Sequence, residues 1–472
     1  MKRIFLLLGT PLLSGLLISG CGGNNSDDFV DTAFIYPRAV HAMVDSPAQT
    51  FSIGPSRFVS DIGYGNVSAF SAFASFDTSV DIRGRLADLS RFEIDTIEGL
   101  TFRTGFEYTF ITAGFVDAPE TFMISKPRIR RPFADIYMQF AHAATLQDDL
   151  EIYLTAPGED LANATPYAML GRTEYTSSEP IPEGEYQIRV LRASDGEQVY
   201  DSDVLQLFRD PNAPEDRGGR DWFFCLVDTV DTIRWPVKGL LTDGLNSFSV
   251  AGAGTVSSLR ARNVAAGLGT VDVLLDGDAS DPLASGLTYL ESSDHRALVP
   301  DAYLATATPA GQPSDVLLES TVLTSSGAEE AFYLIDSETQ PFGILQVEDR
   351  RSVITEGRLG IVLAAPENQV VSIYVAYPED VDVDQGEYGG LLANRIGPPF
   401  VFSRLSRLPG DTLVTVTLWF NVDDDDGAND EEQRILGPLE INLAAGDVRT
   451  LVLVPPAPGS SETLQGIVLD DL

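Results

Sequence analysis

The feature that most constrains this chain is an apolar strand that recurs along it, each time followed by hairpins of period two. Short apolar runs lead into Ala42 ("RAVH"), Ala143 ("QFAH"), Ala265 ("RARNV") and Ala364 ("LGIVL"). These alanines lie roughly 100 to 120 residues apart, the spacing of tandem domains rather than of small solenoid repeats. After each comes a short loop and an alternating strand: "AQTFSI", "LEIYLTAP", "TVDVLL" and "VSIYVAYP". Each copy then carries a hairpin, such as "YQIRVLRASDGEQVYDSDVLQL", and closes with a second: "EYTFITAGFVDAPETFMIS", "DWFFCLVDTVDTIRWPVKGLL", "EAFYLIDSETQPFGILQVED" and "VRTLVLVPPAPGSSETLQGIVLDD". In "VTVTLWF", Val414, Val416, Leu418 and Phe420 alternate with Thr415, Thr417 and Trp419, so one set faces a core and the other does not. β-Branched and aromatic residues fill the runs, and Gly, Pro, Asp and Asn separate them. Seven or eight short strands in about 100 residues predict an immunoglobulin-like antiparallel sandwich. The expected fold class is therefore all-β, four tandem sandwiches over residues 33–132, 133–246, 247–353 and 354–472.

The N-terminus carries a different signal. Lys2 and Arg3 precede an apolar run from Ile4 to Ile18, the length of a secretion signal, interrupted by Pro11 and too short for a comfortable membrane span. "ISGC" follows and resembles a bacterial lipobox, whose small residues precede a cysteine that is acylated and becomes the new N-terminus. Residues 1–20 are read as a lipoprotein signal peptide, Cys21 as the lipid attachment site, and "GGNNSDD" as part of a flexible tether over 21–32. More than one acyl chain, palmitate among them, would hold the protein firmly where one would not. Gly22 stands where an inner-membrane retention signal would have Asp. The expected location is the outer membrane, on its periplasmic or cell-surface face.

Two histidines share a setting. "RAVHAMVDSP" holds His41 and "MQFAHAATLQDD" holds His142, and the third and fourth copies have Val264 and Leu363 in the aligned place. These blocks resemble the bacterial family called domain of unknown function 4397. Its members begin with an Arg-x-x-His-Ala strand, continue through a Pro/Asp turn and a Val-Asp-Val-Tyr-like strand, and reach a Pro-x-Gly-x-Tyr strand start. Here Arg38, His41, Ala42, Asp45 and Pro47 fit, as do Pro182, Gly184 and Tyr186 in the second copy. The resemblance is closest over 133–215, extends to 33–130 and thins beyond 250. It implies secreted or surface-anchored β-sandwich modules and no particular activity. A position that takes His, Val and Leu in equivalent copies reads as a strand site where imidazole makes one local hydrogen bond, so His41 and His142 are structural repeat markers.

Composition limits partners. The formal charge of −39 repels nucleic acid and anionic lipid surfaces. Cys225, in "DWFFCLVD", reads as a buried inert thiol, and His295, in "ESSDHRAL", as solvated. The acidic run "NVDDDDGANDEEQ" offers Asp424 and Asp426 to Ca²⁺, and "PEDVDVDQGEY" offers Asp380, Asp382 and Asp384. Neither keeps the ligand register of a calcium loop, so both are weak metal candidates and solvated tips by default. Trp222 and Trp235 flank a hairpin turn and read as core; Trp419 could line a sugar-binding face. The sequence has no Gly-x-Ser-x-Gly elbow, no His-Glu-x-x-His and no phosphate-cradling glycine loop. The expectation is a non-catalytic lipoprotein without cofactor, an adhesion or envelope-interaction scaffold with an unidentified protein or glycan partner. A glycan-binding or calcium-dependent module is the alternative, and a carboxylate-based hydrolase a remote one.

Overall fold

A computed structural model describes residues 33–471, apart from 75–76, 87–89, 130–135, 210–218, 230–234, 245, 337–339, 349, 365–369, 377–390, 397–401, 410–413, 424–432 and 455–463. Cys21 and the candidates Asp380, Asp382, Asp384, Asp424 and Asp426 lie outside the described residues. The chain is all-β, and its sheets pair into sandwiches.

Among the described residues, the four sandwiches share eight strands in one order. The first strands are Tyr36–His41, Ile136–His142, Ser257–Asn263 and Glu356–Leu363. The seventh strands are Phe106–Phe115, Arg220–Asp228, Glu329–Ile335 and Val448–Val454. One sheet has the order fourth–first–seventh–eighth, and the other has third–second–fifth–sixth. The second sandwich adds Ser247–Val250 beyond its eighth strand, Val237–Thr242, and has an extra short strand, Leu205–Leu207, against its fifth. An antibody constant domain pairs its first strand with its second. Here the first strand pairs with the fourth, antiparallel, and with the seventh, parallel.

The first and seventh strands are buried on both faces. In the first repeat, Ala39, Tyr108 and Phe110 face the sandwich's own core with Phe51 and Ile82. The alternate residues Val40, Ala42, Ile111 and Ala113 pack instead against Ala141, Phe223, Cys225 and Val227 of the second repeat. The third and fourth repeats do the same, with Val264, Ala331, Tyr333 and Ile335 meeting Val362, Ala364, Val452 and Val454. The four sandwiches are therefore two pairs, and each pair is a stack of four sheets. This explains why "WFFCLVD" and "TLVLV" read as continuous apolar runs, as strands covered on both sides must.

Candidate functional site: the His-held loops and the interfaces between repeats

His41 ends the first strand of its repeat and is fully buried. The Met43 backbone N–H donates to its Nδ1 at 3.3 Å, so the other nitrogen carries the proton, and Nε2–H donates to the Pro47 carbonyl at 3.0 Å. His142 repeats this: the Ala144 N–H meets Nδ1 at 3.3 Å, and Nε2 reaches the Asp148 carbonyl at 2.9 Å. Each ring makes two bonds, not one, and each closes the loop between first and second strands. Burial, with the nearby Arg351 cation, pushes His41 down to about 3, against the bond to Pro47. His142 is lowered as well, chiefly by burial. Both imidazoles are neutral tethers at neutral pH.

The third repeat corrects the sequence alignment by one residue. Asn263, not Val264, holds the histidine's place. It lies opposite Leu334 as His142 lies opposite Leu226. The next backbone N–H also matches: Val264 donates to Leu334, as Ala143 donates to Leu226. The amide does the work of the ring, since Oδ1 accepts from the Ala265 N–H at 3.2 Å and Nδ2 donates to the Gly269 carbonyl at 2.9 Å. In the fourth repeat Leu363 takes the place, opposite Leu453.

The loops so held receive further groups. Asp228 is buried, and its carboxylate accepts from the Thr145 N–H at 2.6 Å and the Leu146 N–H at 3.1 Å. Burial outweighs those bonds and raises Asp228 to about 6. Arg172 donates to the Thr145 carbonyl at 3.2 Å and pairs with Glu120 of the first repeat at 2.9 Å.

Each pair interface has a polar end. Between the first two repeats, Arg38 is buried with its guanidinium carbon 4.2 Å from the Phe70 ring centre and 4.6 Å from that of Phe223, and Lys126 pairs with Asp221 at 3.0 Å. Desolvation lowers Arg38 to about 10, so it stays charged at neutral pH. Between the third and fourth, Arg260 meets Glu348 at 2.7 Å and Asp471 at 3.1 Å, while Arg262 meets Glu348 at 3.1 Å and also Asp471. Thr450 donates to the other oxygen of Asp471 at 2.7 Å. Arg38 and Arg260 each stand three residues before the loop-holding His or Asn.

His295 departs from the solvated reading. Its Nδ1 lies 3.0 Å from Ser258 Oγ and its Nε2 3.3 Å from Glu348 Oε2. The order serine, histidine, carboxylate is that of a hydrolase triad, but Ser258 is buried in the sheet and its own N–H is bonded to the Ala328 carbonyl, so no oxyanion could use it. Cys225 is buried in the first interface, and burial pushes its thiol up to about 12, opposite to an activated thiolate. Trp222 is buried, and the Trp235 indole N–H donates to the Ala253 carbonyl at 3.0 Å. Among the described residues, no group of three His, Cys, Asp or Glu side chains is placed to hold a metal.

Sequence reasoning missed the ion cluster, whose signal was the alternation of charge in "SLRARN" with an acid just before the C-terminus. No family model matches the chain, and no curated protein matches it.

Proposed function

We propose that the protein is a non-catalytic bacterial surface lipoprotein, anchored through acylated Cys21 and built as a scaffold of the domain-of-unknown-function-4397 type. One observation carries the reading: the side chains most suited to chemistry already have internal work. His41, His142 and Asp228 hold loops, His295 contacts Ser258 and Glu348, and Cys225 lies in an apolar interface. The run from Lys2 to Cys21 supports export and lipidation. The formal charge of −39 disfavours nucleic acid and anionic lipid, which leaves a protein or a glycan as the ligand for adhesion or envelope contact.

Fractionation of cells carrying wild-type and Cys21→Ser protein tests the anchor. Wild-type protein is expected in washed outer membranes and the variant, unprocessed and unacylated, is expected to be absent from them; equal recovery of the two in the outer membrane would defeat it. A polysaccharide and envelope-fraction panel, with and without Ca²⁺, then separates scaffold from recognition module. Saturable Ca²⁺-dependent binding that is lost with Asp424→Asn or Trp419→Ala would establish the alternative.

A further inference from the structure

We propose that the loop at residues 43–47 is a socket for a guanidinium, and that Arg351 fills it to lock the second pair of repeats onto the first. Arg351 lies in the link between the third and fourth repeats, after the strand Phe342–Glu348. Its Nη1 donates to the carbonyls of Val44 at 2.8 Å and Ser46 at 2.7 Å. Its guanidinium carbon stands 5.2 Å from the centre of the Tyr64 ring, within cation–π range. Three residues on, the Ile354 N–H donates to the Asp45 carbonyl at 3.1 Å. Three consecutive carbonyls, Val44 to Ser46, thus accept from one distant segment.

The socket is held by contacts of the first repeat itself. His41 pins both ends of the loop, at Met43 and Pro47, and the carbonyls that accept from Arg351 and Ile354 lie between those two points. Ser46 Oγ donates to the Pro47 carbonyl at 3.0 Å, and Gln49 donates to Ser46 Oγ at 3.0 Å. The second repeat provides an internal comparison. Its loop is pinned in the same way by His142, and its Thr145 carbonyl, two residues after Ala143 as Val44 is two after Ala42, also accepts from an arginine, Arg172. A His-held loop therefore binds a guanidinium twice in one chain, once within its own repeat and once across some 300 residues, as the sequence separation of 307 for Arg351 and Val44 records.

Tyr64 makes the lock a three-way joint. Its hydroxyl donates to the Asp228 carbonyl of the second repeat, Lys238 of that repeat sits 5.1 Å from its ring centre, and the His41 ring meets it edge-on at 5.9 Å. Gly65 has positive φ, and a Cβ there would come within 3.0 Å of Lys238 Nζ, so the turn admits the close approach. His41 is a positioning residue for this contact.

Small-angle scattering and hydrogen exchange on the purified chain carrying Cys21→Ser test the proposal. A single compact body of this length has a radius of gyration of about 22 Å, and two pairs hanging apart have a clearly higher one. Wild type is expected near the lower value, with slow exchange at the Ile354 amide. Arg351→Ala should move the radius toward the higher value and speed exchange at Ile354 at least tenfold, with Arg351→Lys between the two. A wild-type radius near the higher value overturns the lock whatever the variants do. So does an Arg351→Ala chain whose scattering and Ile354 exchange match wild type.

Discussion

Asn263 of the third repeat and His142 of the second are the same part. Each accepts from the backbone N–H two residues on and donates to the carbonyl six residues on. An amide and a neutral imidazole both offer an acceptor and a donor, and the loop asks for nothing more. Asn263 also donates to the Leu287 carbonyl at 3.1 Å. Asn263→Ala removes all of these from a buried site and leaves an N–H and carbonyls unpaired. The expected cost is about 2–4 kcal/mol, read by denaturant unfolding. A loss below about 0.5 kcal/mol would mean that the amide is incidental.

The same tethers give the fold a pH signature. His41 is held down at about 3 and His142 is lowered, so the unfolded chain takes up protons below about 6.5 that the folded one refuses. These two groups make stability fall as pH drops from about 6.5 toward 3. Asp228 has the opposite sign. Raised to about 6, it binds its proton more tightly when folded, so it adds stability as pH falls through 6 toward its unfolded value. Melting temperatures from pH 8 to 4 should therefore drop more steeply in Asp228→Asn than in wild type, and less steeply in His41→Asn.

Glycines on the eighth strands carry a second repeated constraint. A Cβ on Gly239 would meet the Phe224 ring at 2.0 Å, and one on Gly343 the Phe332 ring at 2.2 Å. These glycines face Leu226 and Leu334, so they are equivalent positions. Gly466 faces Leu453 in the fourth repeat, and its Cβ would crowd Leu439 and Leu451. Gly239→Ala and Gly343→Ala should each cost about 1–3 kcal/mol through overpacking, whereas Gly158→Ala, with open space around it, should cost less and act only through its positive φ. Parallel urea titrations of the three variants check the order.

Asp471, next to the last residue, is predicted to hold the fourth repeat against the third. Its carboxylate bonds Arg260, Arg262 and Thr450, and Arg350 donates to its backbone carbonyl at 2.6 Å. Asp471→Ala leaves two buried guanidinium groups with one carboxylate between them. Loss of one partner from such a cluster costs about 3–5 kcal/mol. Calorimetry should show it as a lower or separate transition for the third and fourth repeats. Substituting the solvent-facing Asp470 is the control.

Much of the fold was legible because alternation and turn residues are local. The closing hairpins could be read from "EYTFITAGFVDAPETFMIS" and its counterparts, and each forms. The pairing of repeats was not legible, since a strand covered by a second domain has the same apolar run as one in a large core. Nor was strand order, because nothing in "YPRAVH" shows that it pairs parallel to a strand some 70 residues on. The Asn263 equivalence escaped because the Ala-Ala pair at 265–266 imitates the expected alanine one residue late. Arg351 gave no local sign, for its partners lie in the first repeat.

The most direct test of the account is the double variant His41→Asn, His142→Asn. If the histidines are loop tethers, the variant folds, melts within a few degrees of wild type at pH 8, loses part of the acid sensitivity, and keeps whatever envelope binding the wild type shows. If it folds normally but its binding or any activity is abolished at pH 8, the imidazoles are chemistry and the structural account is wrong.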